Sequence, residues 1–213
     1  YWDGTAMYFG DGDNVQSTSL GVLDVCGHEL THGVTEFSAN LNYQDESGAL
    51  NESFSDVMGD TIEFYAQPDG RAVYPNDTPG AADWKLGEDC WLEGSCLRDM
   101  RNPASTSTMN SGYPPPSKYG GTYWQNYTSD TSDNGGVHQN SGPQNFFYYL
   151  LCDGGSGTND GLSYSVTGIG ITNARLVAYR ALTVYCTTTT DYKGARDAWV
   201  SAANDLNPAW VPS

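Results

Sequence analysis

His28, Glu29 and His32 fall within a little over one helical turn, and a further carboxylate, Glu52, follows 20 residues after His32. The chain has only three histidines, so placing two of them four apart is informative. Successive residues of an α-helix turn by about 100°, so side chains at i and i+4 leave the same face one turn apart. Two imidazole nitrogens can then meet one cation. Glu29 lies about 100° round from His28, near enough to reach a water on that cation as a base without being a ligand itself. Glu52 belongs to a separate predicted helix in NESFSD, where Asp56, four residues on, faces the same way. A carboxylate there can take the N–H of a ligating histidine and fix its tautomer. Two histidines, one glutamate and an open fourth position describe a catalytic zinc site rather than a closed structural one. A satisfied polar patch between two helices is the competing reading, and the third ligand weighs against it.

The run GHELTHGVTEFSANLNYQDESGALNESFSDVMGD, and DNGGVHQNSG at 133–142, resemble the core of the thermolysin-like zinc neutral proteases. A metzincin would carry a third histidine six residues after His32, where this chain has Ser38. The resemblance implies that His28, His32 and Glu52 hold zinc and that Glu29 moves a proton from water to the leaving amine. It implies that His138 and Tyr43 stabilise the tetrahedral oxyanion, with Asp133 orienting His138. Arg98, in LRDMRNP, resembles an arginine that grips a substrate carbonyl, and Asn51 a partner of His32 behind the metal, as Asp56 is. Val25, Leu86 and Leu97 correspond to walls of an apolar pocket, which implies cleavage before a bulky hydrophobic residue. Asp24, Glu63, Asp83 and Glu88 match the family's main calcium carboxylates. One calcium is expected; a second is in doubt, because Lys85 and Ala81 replace an acid and an amide found in relatives. The implied partners are peptide or protein substrates, and the implied location is extracellular, after secretion and loss of a propeptide.

The elements that must carry these residues are helical. Apolar positions at Val22, Val25, Cys26, Leu30, Val34 and Phe37 predict a helix over 20–38, with Cys26 turned to its buried side. Leu50, Phe54, Val57, Met58, Ile62 and Tyr65 predict the buried side of a second helix, capped by Ser47. Three more are expected at PQNFFYYLL, TNARLVAYRALTVYC and DYKGARDAWVSAANDL, separated from the first two by long surface loops over 67–136. The fold class is therefore mainly α with an α+β remnant. Residues 1–18 form a short strand (Met7–Phe9) and turn at the edge of the substrate cleft, and 19–213 form the zinc-binding helical lobe.

A net charge of −17 disfavours nucleic acid and anionic membrane surfaces as partners and favours bound cations. No apolar run approaches the ~20 residues of a membrane span. Cys90 and Cys96 can close a short disulfide loop and Cys152 and Cys186 a longer one, among three ways of pairing these four. Asn76 and Asn126 head glycosylation sequons. The likeness to the family starts inside its catalytic domain, without the β-rich N-terminal lobe. This raises the alternative of a zinc-binding fragment, inactive alone, that needs a complementing N-terminal lobe or a dimer.

Overall fold

The computed structural model describes residues 1–71, 80–92, 96–106, 112–126, 131–159 and 161–210. Asn76 lies outside them. The element order is α1 (Leu23–Glu36), α2 (Asp45–Ala66), β1 (Lys85–Leu86), β2 (Arg98–Asp99), α3 (Gly142–Asp153), β3 (Gly155–Asn159), β4 (Leu162–Val166), α4 (Ile171–Arg180) and α5 (Tyr192–Leu206). α4 runs on into a π-helical turn, Ala181–Tyr185. All five expected helices are present and the chain is mainly α.

α1 and α2 form the pair that matters for the site. Their backbones touch at two glycines: a Cβ on Gly59 would lie 2.5 Å from the Asp24 carbonyl oxygen, and one on Gly27 would lie 3.0 Å from Gly59 Cα. Only glycine permits that approach. α1 stops where Asn40 turns left-handed, at φ 50°, its N–H closing back on Thr35 O at 2.7 Å. α2 begins two residues before Ser47, whose hydroxyl donates to the Asn42 and Gln44 carbonyls inside the first turn instead of capping it.

The core lies between α2 and the last three helices. Leu50, Phe54 and Val57 of α2 meet Tyr148 and Cys152 of α3, Val177 of α4 and Trp199 of α5, and Phe54 stacks on Trp199 at 5.6 Å. Ala174, Ala178, Ala195, Ala198 and Ala202 are all buried, so α4 and α5 approach closely. Tyr65 departs from its expected place on the buried side of α2: it is exposed, as are Leu30 of α1 and Phe37 just beyond it, because these positions point away from this core.

The expectation of surface loops throughout 67–136 is corrected. β1 and β2 pair antiparallel, Lys85 with Asp99 and Leu86 with Arg98. Trp84, Leu86 and Met100 are almost fully buried, too sparse for periodicity but large enough to anchor the segment. The hairpin of β3 and β4 was not expected. Its strands, GSGTN and LSYSV, are exposed on both faces and carry no apolar alternation. The strand expected at Met7–Phe9 is replaced by a single antiparallel bridge between Trp2 and Met7, because Asp3 Oδ1 accepts the N–H groups of Thr5 and Ala6 and turns the chain back.

Among the described residues there is no disulfide, which corrects both expected pairs. The Cys90 thiol donates to Gly87 O at 3.2 Å, while Cys152 and Cys186 are packed in the core. Burial pushes Cys90 up to about 11 and Cys186 up to about 12, so neither is a thiolate at neutral pH.

Candidate metal centre and its surroundings

α1 presents His28, Glu29 and His32 to α2, which answers with Asn51, Glu52, Ser55 and Asp56. His28 Nε2 lies 3.0 Å from His32 Nε2 and 3.6 Å from Glu52 Oε2, and His32 Nε2 lies 3.3 Å from Glu52 Oε1. Tetrahedral zinc with bonds of about 2.0–2.1 Å sets its ligand atoms about 3.3–3.4 Å apart. The spacing fits.

The remaining nitrogens fix the tautomers. His28 Nδ1 donates to Asp56 Oδ1 at 2.8 Å, and His32 Nδ1 donates to Asn51 Oδ1 at 2.8 Å. In the neutral rings both Nε2 atoms then carry lone pairs, facing each other and a buried carboxylate whose Oε2 has no hydrogen-bond partner among the described residues. Only a cation satisfies such a set. Burial pulls His32 down, but contact with Glu52 outweighs it and raises its pKa. Burial would raise Glu52, yet the imidazoles of His138, His32 and His28 hold it well below the carboxylate range.

Asp56 is wholly buried and accepts from three side chains: His28, a fork from Arg98 Nε and Nη2, each at 2.7 Å, and Asn145 Nδ2 at 2.7 Å. Burial would raise its pKa, but Arg98 and His28 hold it down at about 2. The Arg98 side chain is 11% exposed and lies 3.8 Å from Glu52 Oε2. Asn145, held by Ser53 Oγ at 2.6 Å, escaped the sequence reading because it lies 89 residues from Asp56 on another helix.

His138 and Tyr43 meet different oxygens of Glu52. Asp133 Oδ1 accepts from His138 Nδ1 at 2.5 Å, and His138 Nε2 points at Glu52 Oε2, 3.4 Å away. The Tyr43 hydroxyl donates to Glu52 Oε1 and lies 3.4 Å from His138 Nε2. Burial lowers the His138 pKa, and Glu52 and Asp133 more than offset this. Tyr43 is raised by burial and by Glu52, so its proton stays on. The groups border a cavity of about 390 Å³ that also exposes Glu29 and runs to Trp2 and Glu36. Val25, Leu86 and Leu97 do not border it. Val25 and Leu86 are almost wholly buried, and Leu97 covers Gly87.

A second acidic group joins Asp24 of α1 and Asp60 and Glu63 of α2 to Asp83 and Glu88, which flank β1. Asp24, Asp60, Glu63, Asp83 and Glu88 are all buried. Among the described residues no hydrogen-bond donor meets either oxygen of Asp60, Glu63 and Glu88, or Oδ1 of Asp24. The other Asp24 oxygen accepts from Gly87 N–H, and Asp83 Oδ1 from Lys85 N–H at 2.7 Å. Oxygens of Glu63, Glu88 and Asp89 lie within 4.8 Å of one another, so these residues can hold a cation. Burial and then neighbouring carboxylates push Glu63 up to about 9 and Glu88 up to about 10. Asp60 was missed in the sequence, although its spacing, four residues after Asp56 and eight after Glu52, was the available signal.

Comparison with known proteins agrees with this geometry. Residues 39–210 match the alpha-helical domain of thermolysin metallopeptidase and residues 1–36 its catalytic domain. Bacillolysin of Bacillus cereus is 45% identical over 209 residues, covering 97% of this chain and 32% of that protein. Thermolysin of Alicyclobacillus acidocaldarius subsp. acidocaldarius is 43% identical over 212 residues, covering 97% of this chain and 33% of that protein. This chain therefore spans about a third of the length of these curated relatives. Among solved structures, the precursor of protealysin, a metalloproteinase from Serratia proteamaculans, superposes with a TM-score of 0.70 at 30% identity over 97% of this chain and 59% of that one. The chain belongs to the thermolysin metallopeptidase family.

Proposed function

We propose that this chain carries the catalytic centre of a secreted zinc-dependent endopeptidase. The observation that carries the reading is the pair of Nε2 atoms 3.0 Å apart beside Glu52, with both Nδ1 atoms committed elsewhere. His28, His32 and Glu52 would hold the zinc. Bound there, zinc supplies the Lewis acidity that polarises a peptide carbonyl and lowers the pKa of water. Glu29, whose Oε2 is buried without a donor, takes a proton from the attacking water and delivers it to the leaving amine nitrogen. His138 and Tyr43 already converge on a negative oxygen, that of Glu52, and would donate to the carbonyl oxygen as charge develops on it. Asp133 keeps the His138 proton in place, and Arg98, anchored on Asp56, faces the same centre.

The finer assignments belong to the same reading. Residues 19–213 serve as the zinc-binding lobe and 1–18 as the cleft edge. A bulky hydrophobic residue is preferred after the scissile bond. Its support is the shared neighbourhood of the apolar trio: Leu97 N–H donates to Leu86 O at 2.8 Å, and Gly87 N–H donates to Asp24, next to Val25. Asp24, Glu63, Asp83 and Glu88, joined by Asp60, would bind calcium, the cation whose oxygen preference and flexible geometry suit five carboxylates.

The test is turnover of an internally quenched peptide with leucine after the scissile bond, together with metal content by mass spectrometry. Hydrolysis lost on chelation and in Glu29→Gln supports the reading. One bound zinc per chain without hydrolysis supports a second reading, that this lobe acts only with a complementing N-terminal lobe or a partner copy. The exposed Leu30 on the outer face of α1, and Phe37 just past its end, favour that alternative.

A further inference from the structure

The cavity beside the triad continues past Glu29 along α1 to Trp2, Glu36 and Asn40. Trp2 reaches it for two reasons. The turn at Asp3–Ala6 folds the chain so that Trp2 and Met7 bridge. Residue 33 is also glycine, and a Cβ there would sit 3.4 Å from the indole ring. The indole Nε1–H donates to Glu36 Oε2 at 2.6 Å. This orients the carboxylate and occupies one of its oxygens. Among the described residues no hydrogen-bond donor meets Oε1. Glu36 is exposed, and among the described residues no Lys or Arg borders the cavity, whereas Glu29, Glu36 and Glu52 all do.

We propose that Trp2 and Glu36 form a specificity subsite for a basic side chain of the substrate, arginine above lysine. The inference rests on the peptidase reading of the adjacent centre. A guanidinium is planar and weakly hydrated, so it can lie on the open indole face while donating an N–H to Glu36 Oε1. An apolar residue in the same place would cover that oxygen without giving it a donor. An acidic residue would meet Glu36 and the field of a chain of net charge −17.

The test uses zinc-loaded Glu29→Gln protein, which keeps the three ligands and lacks the base, so that binding is read without turnover. Fluorescently labelled hexapeptides, identical except for arginine, citrulline or glutamate stepped through each position around the scissile bond, are titrated by anisotropy. At one position arginine is expected to bind about three- to tenfold tighter than citrulline. The ratio is expected to fall to about one when Glu36→Gln is added and to shrink with Trp2→Leu. Equal binding of arginine and citrulline at every position, a preference undiminished by Glu36→Gln, or no binding of any peptide overturns the proposal. Failure here leaves the hydrolysis test unaffected, because that assay uses a leucine peptide and the wild-type base.

Discussion

Lone pairs on two imidazole nitrogens 3.0 Å apart repel unless a positive charge lies between them, so groups that set the tautomers control the site as firmly as the ligands do. Asn51→Ala should weaken zinc binding about 10- to 100-fold, read by competition with a chromogenic chelator. Asp56→Ala has a larger structural cost, because it leaves the partly buried Arg98 guanidinium without its fork. A loss of about 3–5 kcal/mol in urea unfolding is expected. Asp133→Asn removes a contact that raises His138, so the alkaline limb of kcat/KM should move to lower pH. An unmoved limb would remove His138 from the pH dependence. The sequence identified the histidines, Glu52 and Asp56 through helical spacing, whereas Asn145 was invisible because no local period links α3 to α2.

At the scale of elements, the triad depends on how closely α1 and α2 approach. Gly59→Ala would drive a methyl to 2.5 Å from the Asp24 carbonyl oxygen. It should cost about 1–3 kcal/mol in urea unfolding and weaken zinc binding as the helices part, with Gly194, near the start of α5, as a comparison site. Equal zinc affinity in Gly59→Ala would show that the site tolerates a wider crossing. Helices were legible because their apolar positions recur at i, i+3 and i+4. The β3–β4 hairpin was not, because both of its faces meet solvent and leave no alternation to detect.

For the molecule as a whole, part of the acidic excess is buried, where it is most costly. A carboxyl whose folded pKa exceeds its unfolded value of 4.5 gains a proton on folding. Glu63 and Glu88 should therefore stabilise the cation-free fold less and less as pH rises from 4.5 toward 9 to 10. In chelator the melting temperature should fall between pH 5 and 8. Excess calcium should abolish or reverse this trend by stabilising the charged carboxylates. A melting temperature insensitive to both pH and calcium would remove the cation from this cluster. The sequence by itself determined the helices, the shared face of His28 and His32, and the charge that calls for cations, since these follow from local geometry and composition. Only the tertiary structure decided that Asp60 joins the buried acids, that Arg98 and Asn145 converge on Asp56, and that Trp2 meets Glu36. Those contacts join residues distant in sequence: the close crossing of α1 on α2, the packing of α3 on α2, the placing of Arg98 on β2 and the turn at Asp3–Ala6 bring them into range.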